Sequence, residues 1–289
     1  MNPLELVGLT ALMERTGGSP KVVVGLVDGP IAMNHPDLTG DTIREVPGKM
    51  SGTCAKTNSA ACLHGTFVAG ILCAKRGSAA PAICPDCTLL AYSIFAETAS
   101  GNTEMPSATP EDLTAAILAC IEAGVRILNL SLALIPSSSK GERALGQALD
   151  HAARRGVLIV AAAGNQGTIG STAITGHPWV IPVAACDLQG KPVNESNLGH
   201  SIGRHGLRAP GEQITSLGSE GESLTLGGTS AAAPFVTGAI ALAWSEFPTA
   251  TAAELRWAFA HAGQRSTVTP PLLNAWAAYQ VLSTTHSRR

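Results

Sequence analysis

Short apolar runs that end in turn residues alternate along the chain with amphipathic stretches of helical length. The run "KVVVGLV" (21–27) stops at Asp28-Gly29-Pro30, and this pattern predicts a buried strand followed by a turn. The same reading predicts strands at 88–95, 126–132, 157–165 and 179–185 and helices at 109–125, 141–156, 229–246, 251–263 and 272–282. Strands alternating with helices predict an α/β fold, with a mostly parallel sheet and helices on both faces. Ligand sites in such sheets lie at the carboxyl ends of the strands.

The composition supports a large core. Hydrophobic residues make up 45% of the 289 positions and charged residues 14%, with a formal net charge of −2. These values argue against disorder and against nucleic-acid or membrane partners. Because linkers and repeats are absent from the sequence, one domain is predicted over 1–289, with 1–20 as an N-terminal extension and 264–289 as a C-terminal helix and tail. The start of the sequence has no secretory signal pattern and no stretch is long enough to span a bilayer, so a cytoplasmic location is expected.

The sequence contains seven cysteines, at positions 54, 62, 73, 84, 87, 120 and 186. An odd number argues against a framework built wholly of disulfides. Free thiols are the expectation, and a loop disulfide, either Cys54–Cys62 or Cys84–Cys87, is the first alternative. Zinc is disfavoured because the spacing lacks two regular pairs. The sequence therefore predicts no metal and no cofactor.

Three polar residues stand at predicted element ends. Asp28 ends the first strand, His64 opens the helix of "HGTFVAGIL", and Ser230 starts the helix of "GGTSAAAPFVTGAIALAW", with Pro234 in its first turn. Taken singly, an aspartate such as Asp28 is more often a turn residue, a histidine such as His64 is more often packed in the core, and a serine such as Ser230 is more often a helix cap. Together they supply a nucleophile, a base and an orienting carboxylate. Asn165, after the strand "VLIVAAA", adds an amide that can donate to an oxyanion.

The order Asp, His, Ser is the order used by subtilisin. With the motifs "VVVGLVDGP", "HGTFVAGI", "AAAGNQG" and "GGTSAAAPFVTG", it makes the chain resemble the subtilisin-like serine peptidases from about Lys21 to Ala243. The resemblance implies a subtilisin-like three-layer sandwich and a serine endopeptidase. Ser230 would be the nucleophile, His64 the general base and acid, and Asp28 the group that orients His64. Asn165 and the Ser230 backbone N–H would bind the oxyanion.

The resemblance also implies where a peptide or protein substrate binds. Ser131, Leu132 and Ala133 would pair with the peptide as an extra strand. Ala162, Ala163 and Gly164 would form a wall of the pocket for the residue before the cut. Ala133 and Leu134 replace two glycines that the family often has, so a narrower cleft is expected.

Other departures concern the subfamily. The family commonly has Asp-Thr/Ser-Gly where this chain has "DGP", and the chain lacks the Asn-rich calcium loop of secreted members. "DGP", "AICPDCTLL" and the short start are similar to the leader peptidases of cyanobactin-type pathways, which favours a selective processing peptidase acting on a ribosomal precursor peptide. Three alternatives stay open: a general turnover peptidase, a catalytically silent peptide-binding module, and an esterase with the same triad.

Overall fold

A computed structural model describes residues 2–38, 42–48, 50–97, 107–132, 139–263 and 266–286. Within these residues the main sheet has seven parallel strands in the order β2-β3-β1-β4-β5-β6-β7. The strands are β1 (Val23–Asp28), β2 (Ile43–Glu45), β3 (Thr88–Ser93), β4 (Ile127–Leu130), β5 (Leu158–Ala162), β6 (Val180–Cys186) and β7 (Leu207–Pro210). An antiparallel hairpin, β8 (Ile214–Leu217) with β9 (Ser223–Leu226), lies outside the sheet. The predicted α/β class is confirmed.

The described helices are α1 (Pro3–Leu6), α2 (Leu9–Arg15), α3 (Ala60–Cys73), α4 (Pro110–Glu122), α5 (Ser139–Arg155), α6 (His200–His205), α7 (Thr229–Glu246), α8 (Ala252–His261) and α9 (Ala275–His286). Two predicted helix starts are confirmed by their caps. Thr109 accepts a hydrogen bond from the Asp112 N–H at 3.0 Å. Thr251 and Glu254 form a reciprocal capping box. Such side chains satisfy N–H groups that a helix leaves unpaired at its start.

Strand residues point alternately to two separate cores, which makes a three-layer arrangement. Leu26 and Val160 belong to the core that includes α3, α7, α8 and α9. Their neighbours Val27 and Ile159 belong to the core that includes α4 and α5. Strands buried on both faces read as continuous apolar runs, which is why the sequence showed them clearly. Helix α7 is buried along nearly its whole length, as its apolar sequence predicts.

Residues 1–20, predicted as an extension, contribute to the core. Leu9 and Leu12 of α2 are fully buried in the cluster that also holds α7 and α9. The predicted helix over 272–282 begins three residues later, at Ala275, and continues to His286. Among the described residues, no helix combines the length and the apolar character that a membrane crossing requires.

One of the two loop disulfides named as alternatives is present in the structure. Cys54 and Cys62 form a disulfide, so the expectation of free thiols is wrong for these two. Cys84 and Cys87 are free and buried, as are Cys73, Cys120 and Cys186. The bond ties the loop before α3 to the first turn of that helix.

Candidate active site

Asp28 and His64 form a buried pair. Oδ1 of Asp28, at the carboxyl end of β1, lies 2.6 Å from Nδ1 of His64. The Gly29 N–H donates to the same oxygen at 2.6 Å. Asp28 is fully buried and the His64 side chain is 11% exposed. A carboxylate held at Nδ1 fixes the tautomer that leaves Nε2 facing outward as a base.

Two glycines allow this pair to form. A β-carbon on Gly29 would collide with the carbonyl oxygen of Ala61 on α3, and one on Gly65 would collide with the carbonyl oxygens of Gly29 and Pro30. The backbone just after β1 therefore lies directly against the backbone of helix α3, which brings the imidazole onto Asp28. The prediction that His64 opens its helix is wrong. Helix α3 begins at Ala60, capped by Ser59, because the N-cap serine lies upstream of the apolar run.

Opposing effects set the pKa of His64. Burial lowers it, but the charge of Asp28 and the hydrogen bond to that carboxylate together raise it by more, so the pKa lies above the ordinary value of 6.5. Oδ2 of Asp28 is buried and has no hydrogen-bond partner among the described residues.

Ser230 is the second residue of α7 and is partly exposed. The prediction that Pro234 falls in the first turn of this helix is wrong, since α7 begins at Thr229 and Pro234 is its sixth residue. A proline there cannot donate to the carbonyl four residues earlier, which is that of Ser230. The Ser131 hydroxyl donates to this carbonyl instead, at 3.1 Å.

A buried chain of hydrogen bonds continues from Ser131 into the core. Nδ2 of Asn129 donates to Oγ of Ser131 at 2.8 Å, and the Thr237 hydroxyl donates to Oδ1 of Asn129 at 2.7 Å. Ser131 directly follows β4, the strand beside β1. The hydrogen bond from Ser131 thus holds the start of α7, with Ser230, at the carboxyl edge of the sheet, where Asp28 also lies. Sequence reasoning gave Asn129 and Thr237 no role, although Asn129 begins "NLSLA" and Thr237 lies within "GGTSAAAPFVTG".

Asn165 is oriented by the residue before Ser230. Its Oδ1 accepts from the Thr229 N–H at 2.8 Å and from the Thr229 hydroxyl at 2.9 Å. Both contacts use the amide oxygen, so Nδ2 is the end of the side chain that can donate. Gly228 has a φ of 101°, a conformation that favours glycine, and a β-carbon there would lie 2.8 Å from Nδ2 of Asn165.

Asn197 holds the loop that carries Asn165, and sequence reasoning missed it. Its Oδ1 accepts from the N–H groups of Gln166 and Thr168 at 3.1 and 3.0 Å, and its Nδ2 donates to the Ala163 carbonyl at 3.1 Å. Asn197 is 8% exposed. The surrounding sequence, "NESNLG", reads as an ordinary polar loop and gives no signal of this role.

The predicted substrate-binding residues lie around the same edge. Ser131 is buried and Leu132 half-buried, while Ala133 lies outside the described residues. Ala162 ends β5, and Ala162, Ala163 and Gly164 lead into Asn165. Gly164 donates its N–H to the Thr229 hydroxyl at 3.1 Å, which joins this wall to the start of α7.

The free cysteine thiols are poorly placed to act as nucleophiles. All five free thiols are buried, and burial raises the pKa of Cys120 and of Cys186 to about 12. Among the described residues, one group of three side chains brings potential metal-ligand atoms within 4.8 Å of one another, namely Cys54, Cys62 and Glu97. Its two sulfurs are bonded to each other, so the group does not supply thiolate ligands.

A parallel sheet that brings an aspartate–histidine pair and a helix-borne serine to its carboxyl edge defines a serine hydrolase of the α/β class. The family model of the S8 peptidases described as the subtilase family matches residues 19–273, and the chain belongs to this family. It is a subtilisin-like serine endopeptidase.

Known proteins agree with this assignment. The chain is 32% identical to Subtilisin DY from Bacillus licheniformis over 240 residues, which cover 81% of each chain. It is 33% identical to Subtilisin E from Bacillus subtilis (strain 168) over 83% of its own length, and spans 59% of that protein. Two solved structures have 28% identity: a mutant of the protease domain of PatA (TM-score 0.83, 93% of this chain and 97% of that one) and the Prenylagaramide maturation protease PagA (0.82, 95% and 98%).

Proposed function

We propose that the chain is a processing endopeptidase that cuts a precursor peptide at a selected site, with Ser230 as its nucleophile. The observation that carries the proposal is the buried contact of 2.6 Å between Asp28 and His64, at the sheet edge where α7 presents Ser230. A serine hydroxyl is a weak nucleophile unless a base takes its proton. The buried pair supplies that base with a fixed tautomer.

The proposed reaction uses these groups in two half-reactions. Oγ of Ser230 attacks the peptide carbonyl carbon while Nε2 of His64 takes the hydroxyl proton. The resulting oxyanion accepts hydrogen bonds from Nδ2 of Asn165 and from the Ser230 N–H, which lies in the first turn of α7 and so lacks an acceptor within the helix. His64 then gives the proton to the leaving amine. Water, activated by the same imidazole, hydrolyses the acyl-enzyme and restores Ser230.

The processing role is supported by similarity. The structures of the PatA protease domain and of PagA superimpose on nearly the whole chain at 28% identity, and PagA is the Prenylagaramide maturation protease. Ser131, Leu132 and Ala133 are proposed to pair with the substrate backbone, and Ala162, Ala163 and Gly164 to border the residue before the cut. No nucleic acid, membrane, metal or cofactor takes part in the proposed reaction.

A cleavage map tests this function. The purified chain and its Ser230→Ala variant are incubated with a broad pool of proteome-derived peptides, and new termini are read by mass spectrometry. A narrow sequence preference that disappears in Ser230→Ala is the expected result. Cuts without sequence preference would overturn the processing role and leave a turnover peptidase.

The second candidate is a catalytically silent peptide-binding module. The observation that favours it is Oδ2 of Asp28, which is buried without a hydrogen-bond partner among the described residues. This candidate requires that the wild-type chain cut no peptide and that wild type and Ser230→Ala bind peptides equally well. Isothermal titration with peptides from the same pool distinguishes the two functions.

The proposed location is the cytoplasm. The five free thiols are typical of a reducing compartment, whereas the Cys54–Cys62 bond is not. Fractionation of cells, with thiol labelling of the isolated protein, tests both the location and the state of this bond there.

A further inference from the structure

A cavity of about 720 Å³ opens beside the oxyanion donor. Asn165 and Gly228 line it, together with Gly227 and with Leu226 at the end of β9. Its described lining includes none of the residues proposed to hold the peptide before the cut, which are Ser131, Leu132 and 162–164. A position next to Asn165 and away from those segments is the one expected for the leaving side of the substrate.

The lining combines an apolar wall with two carboxylates. Val193 and Leu226 are half-buried and pack against the core. Glu195 and Glu212 also line the cavity, and their side chains have no hydrogen-bond or ion-pair partner among the described residues. Lysine, arginine and histidine are absent from the described lining. The cavity therefore offers negative charge that no side chain of the described chain neutralises.

This chemistry matches a long cationic side chain. Lysine and arginine bury an aliphatic stem and keep a charged head that seeks an anion. Val193 and Leu226 can take such a stem, and Glu195 and Glu212 can take its head. A short or anionic side chain gains neither contact, and an anionic one is repelled by both carboxylates.

We propose that this cavity binds the residue that follows the scissile bond and selects lysine or arginine there. The inference rests on the function proposed above, because it takes Ser230 and Asn165 as the centre of the reaction. It adds a specificity for the leaving side of the substrate, with Glu195 and Glu212 as the residues that impose it.

The test uses matched peptides derived from the best substrate of the cleavage map. They differ only in the first residue after the cut, which is Lys, Arg, Gln or Glu. Competition experiments give the ratio of kcat/KM for the Lys peptide to that for the Gln peptide. This ratio is expected to exceed one, with the Glu peptide slowest. It is expected to fall as salt rises, since exposed charges are screened.

Charge-neutralising variants assign the preference to the cavity. Glu195→Gln and Glu212→Gln should each lower the Lys-to-Gln ratio about 2- to 5-fold, the size expected for an exposed ion pair, and the double variant should lower it further. Glu122→Gln, at the end of α4 in the layer on the other side of the sheet, is the matched control and should leave the ratio unchanged. A wild-type ratio of one, or an unchanged ratio in the double variant, would overturn the inference.

Failure of the proposed function gives a different result. If no peptide is cut, the processing activity is refuted, but the cavity is still tested by the affinity of Ser230→Ala for Lys and Gln versions of the peptide that binds it most tightly in the same pool. Tighter binding of the Lys peptide, lost in the Glu195→Gln/Glu212→Gln background, would support the cavity as a cation site. Equal affinities would overturn it.

Discussion

The two halves of the proposed active site are built in opposite ways. The acid–base half, Asp28 and His64, is nearly closed to solvent and is held by backbone contact between β1 and α3. The oxyanion half is more open, since Asn165 is exposed and Ser230, at the start of α7, is partly exposed. Its geometry depends on neutral hydrogen bonds from Thr229 and Asn197.

The difference follows from what each half must do. A charged pair is stronger and better oriented where water is excluded, so closure favours proton transfer. An oxyanion donor must meet the substrate carbonyl, so it stays open and is preorganised by its neighbours instead. Changes in the acid–base half should therefore alter pH dependence, whereas changes in the oxyanion half should lower the rate at every pH.

The largest effect is expected for Asp28→Asn. An amide in place of the carboxylate removes the charge that stabilises the imidazolium and favours the wrong tautomer, so kcat should fall on the order of ten thousandfold. Steady-state kinetics on the best peptide measures this. Ser230→Ala sets the background rate, and a loss of less than tenfold would contradict the role of Asp28.

The dependence of kcat/KM on pH should also differ between variants of the two halves. His64 acts as a base only when neutral, and its pKa is raised, so the acid limb of kcat/KM should lie above pH 6.5. In Asp28→Asn burial remains while the carboxylate is lost, so the limb should move to lower pH. Asn165→Ala, which changes no charge, should leave the limb in place. The raised pKa also means that His64 stabilises the fold below its ordinary pKa, and that this contribution is lost as pH rises through the raised value.

Asn165→Ala should have the next largest effect. Loss of one oxyanion donor lowers kcat on the order of 100- to 1000-fold. Asn165→Asp keeps an acceptor for Thr229 but places a carboxylate where the donor stood, so it should lose at least as much kcat, because its negative charge also repels the oxyanion. Both variants should lose kcat with little change in KM. Full activity in Asn165→Asp would show that Nδ2 does not bind the oxyanion.

Removal of the Cys54–Cys62 disulfide should lower the stability of the fold. In Cys54→Ala/Cys62→Ala the free energy of unfolding should fall by about 2 kcal/mol, because the unfolded chain regains freedom over a short loop. Urea denaturation measures this change. Cys120→Ala, which deletes another buried sulfur without a bond, is the control for lost packing, and an equal loss in it would assign the effect to packing.

The smallest effect is expected for Ser131→Ala. The Ser230 carbonyl loses its donor, and kcat/KM should fall five- to tenfold, equivalent to about 1 kcal/mol. Adding Pro234→Ala supplies a backbone N–H four residues after Ser230, which can donate to the same carbonyl. Partial recovery in the double variant is expected. If Ser131→Ala is fully active, this hydrogen bond does not position Ser230.

Much of the fold could be predicted from the sequence because its signals are local. The strands of the sheet centre are continuous apolar runs, and α4 and α8 carry their caps in adjacent residues. The strands β2 and β7 and the hairpin β8–β9 are three or four residues long. So short a stretch shows no periodicity, and its pairing depends on neighbours distant in the chain.

The sequence by itself determined which side chains the proposed site contains, since Asp28, His64, Asn165 and Ser230 each stand in a distinctive motif. Only the tertiary structure decided how they are held. The contact of Gly29 with α3, the Ser131 hydrogen bond that replaces the missing N–H of Pro234, and the Asn197 support of the Asn165 loop each join segments far apart in the chain. A sequence motif identifies the residue proposed to do the chemistry. The residues that hold it in position cannot be read from the motif, because folding brings them within hydrogen-bonding distance from distant parts of the chain.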